Sequence, residues 1–259
     1  MDFDKINSAT KYPSIETYHA IDPRNGKLDD GERVQFEGEV IATEKVDGAN
    51  GRIIFMPDGD WFIGSREELL YARGDRIGNP ALSIVSVLKP VAVRLKHRNR
   101  ADIITTPGID VFFMEVYGQK VSSGSKNYTK SGLIHYRMFD VAWVPMIVLK
   151  MPRESISSWR EHGGQTWMDE SHLQWESGSN EIDLVPRLGT IKAADLPESL
   201  EGMLALLHSV TGGVTRVALD DTANGVPEGV VLRTPDRSVI AKARFQDYNR
   251  TLYGSKGGR

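Results

Sequence analysis

The stretch Glu44-Lys45-Val46-Asp47-Gly48-Ala49-Asn50 lies between two apolar runs, Val40-Ile41-Ala42 before it and Ile53-Ile54-Phe55 after it. Short β-branched runs of this kind read as strands, which places the heptapeptide at a strand end and a turn. Asp47 and Gly48 supply the turn chemistry, and a glycine there tolerates φ > 0 and lets a phosphate approach the backbone. Lys45 is then the best nucleophile candidate in the chain. An amine attacks phosphorus only without its proton, a state favoured by burial, neighbouring cations or a bound metal. Alone the Lys-x-Asp-Gly tetrad is weak: it arises by chance in roughly one chain in twenty of this length, and an exposed lysine beside a turn is the plain alternative.

Working outward, Val34-Gln35-Phe36, Val40-Ile41-Ala42, Ile53-Ile54-Phe55 and Trp61-Phe62-Ile63 read as antiparallel strands, with a hairpin turn at Pro57-Asp58-Gly59-Asp60. Apolar residues at three- and four-residue spacing (Leu82, Val85, Leu88, Ala92, Leu95) predict a helix from Pro80 to about Arg98, bent or split at Pro90. Buried strands are expected over residues 110–117 and 133–141, and helices over about 152–162 and 197–209, the second capped by Asp195. The last strands, 229–233 and 239–244, join across Pro235-Asp236-Arg237, and a short tail is expected from 246 to 259.

Composition narrows the class. With 259 residues the chain can bury a full core, and one domain over 1–245 is the natural reading. A net charge of −3 excludes gripping nucleic acid by bulk charge, so any such role needs a local basic patch. Lys120, Lys126 and Lys130, in a Ser/Gly-rich loop, are candidates for one; the basic cluster Lys96-His97-Arg98-Asn99-Arg100 reads first as a solvated helix end. No cysteine is present, which excludes disulfides and thiolate metal sites and fits a reducing compartment. Neither a spanning apolar stretch nor a signal-peptide pattern appears, so a cytoplasmic protein with no membrane partner is expected. A Walker loop, a nucleophile elbow and paired histidines at metal spacing are all lacking.

Six short motifs in order resemble those of the covalent nucleotidyltransferases, the superfamily of ATP-dependent polynucleotide ligases and capping enzymes. They are Lys45-Val46-Asp47-Gly48, Gly64-Ser65-Arg66, Phe113-Met114-Glu115-Val116-Tyr117-Gly118, Met138-Phe139-Asp140, Glu228-Gly229-Val230-Val231 and Ala241-Lys242-Ala243-Arg244. Within that superfamily the chain is most similar to the RNA ligase 2 branch. Asn50 stands where DNA ligases and capping enzymes typically carry arginine, and Tyr12-Pro13-Ser14-Ile15-Glu16 resembles the segment that opens the branch.

The resemblance implies an α+β nucleotidyltransferase (adenylation) domain, with antiparallel sheets flanked by helices and a nucleotide cleft; the few residues after Arg244 lead us to expect no C-terminal OB-fold. It implies that Lys45 forms lysyl-AMP from ATP with Mg²⁺ or Mn²⁺. Asn50 and Arg66 would bind phosphate or the incoming 5′-phosphate end, Glu115 the ribose hydroxyl, and Phe139 the adenine face. Glu44 counts with the nucleotide-binding set, Glu228 would help place the metal, and Lys242 and Arg244 would contact the α-phosphate. The last pair alternates around Ala243, so both point to one face of a strand. Plain alternatives stand beside these roles: Phe139 as core, Arg66 as the surface partner of Glu67 or Glu68, and Glu115 as a strand residue, although a carboxylate unpaired in an apolar run would be costly. Arg244 departs from the family's usual lysine, and its planar fork is a different donor.

The expected activity is ATP-dependent RNA ligation, joining a 5′-phosphate to a 3′-hydroxyl in nicked duplex or single-strand RNA, in keeping with RNA repair. The rivals are a minimal DNA ligase, an end-binding module without sealing activity and, more remotely, a capping guanylyltransferase. Ligases of this superfamily usually carry a second domain after the last motif. The short expected tail therefore implies weak end binding, a partner protein, or help from the divergent stretches 22–35 and 154–226.

Overall fold

The structure is a computed structural model that describes residues 1–72, 81–95, 107–221 and 223–254. In chain order its elements begin with α1 (Phe3–Thr10), β1 (Glu16–Thr17), β2 (His19–Ile21), β3 (Leu28–Arg33), β4 (Glu39–Lys45), β5 (Ala49–Phe55), β6 (Trp61–Ser65) and β7 (Leu69–Ala72). They continue with α2 (Ile84–Leu95), β8 (Gly108–Gly118), β9 (Ile134–Pro145), α3 (Arg153–Glu161), β10 (Thr166–Trp167), α4 (Glu170–Asn180) and β11 (Arg187–Lys192). The last are α5 (Leu200–Thr211), β12 (Gly229–Arg233), β13 (Ile240–Arg244) and α6 (Phe245–Tyr253). Two units interleave along the chain: a first of Met1–Ser14, Gly48–Ser122 and Ile134–Leu184, and a second of Ile15–Asp47, Ser123–Leu133 and Val185–Arg259.

The first unit is built on an antiparallel six-stranded sheet in the order β10-β9-β8-β5-β6-β7. One face, with Ile53, Ile63, Met114 and Val141, packs against Ile84, Leu88 and Val91 of α2 and Leu173 of α4. The other, with Ile54, Phe62, Val111 and Phe113, packs against Ile6 of α1 and Ile156 of α3. Covering both faces explains why β8 carries a nearly unbroken apolar run rather than an alternation. α2 runs through Pro90 as one helix after a short 3₁₀ turn at Ala81–Ser83. The expected helix ends at Pro80 and at 96–98, and the basic cluster 96–100, lie outside the described residues.

The second unit has a five-stranded sheet in the order β1-β13-β12-β4-β11, antiparallel except for the β1–β13 pair, and a β2–β3 hairpin. One face buries Val40, Ala42, Val230, Leu232, Ala241 and Ala243 against Leu200, Met203, Leu204 and Leu207 of α5 and Phe245 and Tyr248 of α6. Each large side chain so buried contributes about 2 kcal/mol.

Three expectations are corrected. The strand expected at Val34–Phe36 lies earlier, at Leu28–Arg33, whose polar sequence forms an edge by pairing with β2; Val34 and Phe36 instead pack beside the core. α5 starts after Ser199, whose side chain accepts from the Gly202 amide at 3.2 Å, and Asp195 sits in a preceding 3₁₀ turn. The segment expected as a tail is helical from Phe245 to Tyr253, because Phe245, Tyr248 and Leu252 share a face that packs into the core of the second unit; residues 255–259 lie outside the described residues.

Candidate active site

The second unit carries Lys45 at the end of β4. Gly229 of β12 lies between Lys45 and Arg244 of β13, forming one rung across three strands. The next rung on the same face is Thr43, Val231 and Lys242, because side chains two residues apart share a side of a strand. Lys45, Lys242 and Arg244 therefore project from one face, while Ala42, Val230 and Ala243 line the opposite, core-packed face.

Gly229 is what lets this rung close. A Cβ there would lie 2.1 Å from the Ala243 carbonyl oxygen and 2.8 Å from the Arg244 Cα. Glu228, one residue earlier, donates its amide to the Lys45 carbonyl at 3.2 Å and accepts from the Phe245 amide at 3.1 Å. That places its carboxylate over the rung: the Lys45 Nζ donates to Glu228 Oε2 at 2.5 Å, and Arg244 Nη1 is 3.8 Å from Glu228 Oε1. Arg244 is also held from behind, its Nε and Nη2 donating to Asp247 at 2.7 and 3.1 Å. The Lys242 Nζ donates to the Ile15 carbonyl at 2.9 Å, just where β1 pairs with β13.

Both flanks of Lys45 are fixed. Glu44 points the other way, is 2% exposed, and accepts from the Thr215 hydroxyl and, at 2.8 Å, from the Arg216 amide. The Asp47 amide donates to the Tyr128 hydroxyl at 2.6 Å, and a Cβ on Gly124 would collide with the Asp47 carboxylate. Burial pushes the Tyr128 phenol well above its ordinary range, so it stays neutral.

The first unit gathers a second set. Asn50 of β5 pairs with Glu115 of β8, which pairs with Arg137 of β9. Phe139 sits at a β-bulge where Phe113 pairs with Asp140 and Met114 with Met138, and its ring is met edge-on by Tyr12 at 5.0 Å. Phe139 packs with Phe113, two residues from Glu115, so this face carries Asn50, Glu115 and Phe139 together. Asn50 Oδ1 is buried with no hydrogen-bond partner among the described residues. Gly48 is pressed against β8, where a Cβ would lie 2.3 Å from the Val116 carbonyl oxygen. Arg66 is 63% exposed on its side chain, with its Nε 3.6 Å from Glu67 Oε1.

Four residues that sequence reasoning missed shape these sets: Thr215, Tyr128, Asp247 and Arg52. Arg52 is fully buried, donates to the Asn7 side chain, and is pushed down to about 9 by burial and by nearby Arg160. Its Nε would be 2.6 Å from a Cβ at Gly64, so the glycine of Gly64-Ser65-Arg66 makes room for it. The signal was an arginine inside a strand otherwise apolar after Gly51.

Among the described residues no helix is long and apolar enough to cross a membrane. Among solved structures, the fold is similar to a Naegleria gruberi RNA ligase mutant with ATP and Mn, at TM-score 0.54 and 16% identity, covering 92% of this chain and 61% of that one. A further mutant of that ligase, with AMP and Mn, matches at TM-score 0.54 and 14% identity over 95% and 63% of the two chains. An archaeal ATP-dependent RNA ligase matches at 0.53 and 15% over 92% and 49%. The chain thus spans about three fifths or less of the structures it resembles. No curated protein matches it in sequence. The RNA ligase family model matches residues 38–245, most of the chain and all six motifs from Lys45 to Arg244; the chain belongs to the RNA ligase family.

Proposed function

We propose that the protein is an ATP-dependent RNA ligase in which Lys45 is the nucleophile. The observation that carries this is the single rung of the second unit's sheet, Lys45–Gly229–Arg244, with Glu228 2.5 Å from the Lys45 Nζ and Lys242 one rung away. An amine, a carboxylate and two further cations on one sheet face suit attack on a phosphate, where positioning and charge on the oxygens supply most of the catalysis.

In the first step the Lys45 Nζ forms a bond to the α-phosphorus of ATP as the bond to the bridging oxygen of pyrophosphate breaks. The attack requires the free amine, so Nζ releases its proton to solvent water and gives up its contact with Glu228. Lys242 and Arg244 hold the non-bridging oxygens. AMP then passes to the 5′-phosphate of an RNA end, and a 3′-hydroxyl displaces it. On the first unit, Glu115 and Asn50 offer polar groups to ribose and phosphate and Phe139 an aromatic face to adenine, while exposed Arg66 suits the incoming 5′-phosphate. Glu44, committed to Thr215 and Arg216, anchors the strand from which Lys45 projects.

Among the described residues no group of three or more acidic or histidine side chains could hold a metal. The donor set that fits Mg²⁺ or Mn²⁺ is Glu228 with the nucleotide's own phosphate oxygens and water, a usual arrangement for Mg²⁺. The cation would supply charge neutralisation on those oxygens. The absence of cysteine agrees with work in a reducing compartment such as the cytoplasm. The Naegleria gruberi RNA ligase structures with ATP or AMP and Mn, and the archaeal ATP-dependent RNA ligase, support the same nucleotide and substrate class.

A sealing panel tests the reading. Nicked duplex RNA, RNA–DNA hybrids, nicked DNA and single-stranded RNA are offered with ATP and Mg²⁺ or Mn²⁺. Sealing of RNA 3′-hydroxyl ends supports it; sealing of DNA alone turns it to a DNA ligase, and end binding without sealing to a recognition module.

A further inference from the structure

Arg244, which stands where the motif it resembles usually carries lysine, is held on one edge by Asp247 and faces Glu228 on the other. Asp247, in the first turn of α6, is 1% exposed and takes both the Nε and the Nη2 of Arg244, at 2.7 and 3.1 Å. Its Oδ1 also accepts from Arg250 at 2.9 Å, and Arg250 Nη2 reaches the Gly26 carbonyl at 2.6 Å. The carboxylate is thus fixed by two arginines and sits where a helix start favours negative charge. We propose that Asp247 is a positioning residue that holds one edge of the Arg244 guanidinium so that the Nη1 edge, 3.8 Å from Glu228, is presented to the phosphate undergoing transfer.

The physics turns on the shape of the donor. A guanidinium has five N–H groups in a rigid plane, so it can be clamped on one edge and still donate from the other. An ammonium is a point charge: a lysine at 244 would be drawn to buried Asp247 and lost to the rung. Arginine and aspartate therefore belong together, and reverting the arginine alone to the family's lysine harms the enzyme. The proposal rests on the ligase reading above, and it adds Asp247 and its Arg250 brace as the reason that reading tolerates Arg244.

The test is a mutant cycle on the full chain, with the rate of covalent labelling by radiolabelled ATP as the readout and thermal melting as the check of folding. Arg244→Lys is expected to slow labelling about a hundredfold, the scale of a misplaced transition-state contact. Asp247→Asn is expected to slow it about tenfold, with the apparent KM for ATP changed little, since the clamp orients rather than binds. The double variant Arg244→Lys with Asp247→Asn is expected to label about tenfold faster than Arg244→Lys alone, because the ammonium is no longer captured. A merely structural Asp247 predicts the reverse, a double variant slower than either single one. That result, or Asp247→Asn labelling at the wild-type rate, overturns the proposal. Should Asp247→Asn fail to fold, Arg250→Gln loosens the same carboxylate from its other side: slower labelling supports the clamp and an unchanged rate overturns it. A wild type that takes no label overturns the ligase reading and this proposal with it, whereas a labelling wild type without rescue overturns only the role of Asp247.

Discussion

The Lys45 Nζ and the Glu228 Oε2 lie 2.5 Å apart although 183 residues separate them along the chain. Two features make the contact: Gly229 pairs directly with Lys45 across the sheet, and the Glu228 amide bonds the Lys45 carbonyl. Glu228→Ala is expected to lower covalent labelling by ATP at least about a hundredfold while leaving the melting curve nearly unchanged, since a partly exposed ion pair contributes about 1 kcal/mol or less. Labelling gels and circular dichroism on the same preparation check both halves.

Gly229 is required by the approach of β13. Gly229→Ala sets a Cβ 2.1 Å from a backbone oxygen of Ala243, and backbone cannot yield as a side-chain tip can. A loss of about 2 kcal/mol or more in unfolding free energy is expected, measured by denaturant titration. Labelling should fall as well, because the displaced strand carries Lys242 and Arg244.

Thr215→Val removes a hydroxyl donor from Glu44, which is 2% exposed. The carboxylate keeps the Arg216 amide, so the expected cost is about 1–3 kcal/mol, read as a lower denaturant midpoint with an unchanged slope.

How much of this was legible depends on distance along the chain. The hairpin at residues 57–60 and the shared face of Lys242 and Arg244 follow from local chemistry and a period of two, and the sheet pairs bear them out; the link from Lys45 to Gly48 joins strands of different sheets, and Gly48 is required there by its close approach to Val116, not by a positive φ. The Glu44–Thr215 and Asp47–Tyr128 bonds span 171 and 81 residues, and nothing local announces either. β3 was hidden because Leu28-Asp29-Asp30-Gly31-Glu32-Arg33 has no apolar alternation. α4 inverts the usual pattern by burying Glu176 and exposing Trp175. α6 was readable: Phe245, Tyr248 and Leu252 stand at helical spacing, and only the glycines that follow suggested a loose end. With α6 in place, the Arg244–Asp247 spacing of three becomes a contact.

Acid stability offers a separate check. Asp169 caps α4, accepting from the His172 amide, and that bond with those of Ser171 and His172 lowers its carboxyl to about 2 from an ordinary 3.8. A depressed carboxyl stabilises the fold above its unfolded value and loses that contribution as pH falls toward the folded one. Asp169→Ala is therefore expected to cost about 1 kcal/mol near neutrality, and the gap from wild type should close as pH falls from about 4 to about 2, measured by thermal melts across that range.

The most direct test of the central claim is covalent capture at Lys45. Wild-type protein incubated with ATP labelled at the α-phosphate and a divalent cation should retain one acid-labile, alkali-stable AMP, located by mass spectrometry on the peptide bearing Lys45; Lys45→Ala should retain none. A wild type without label, or a label that survives Lys45→Ala, contradicts the account.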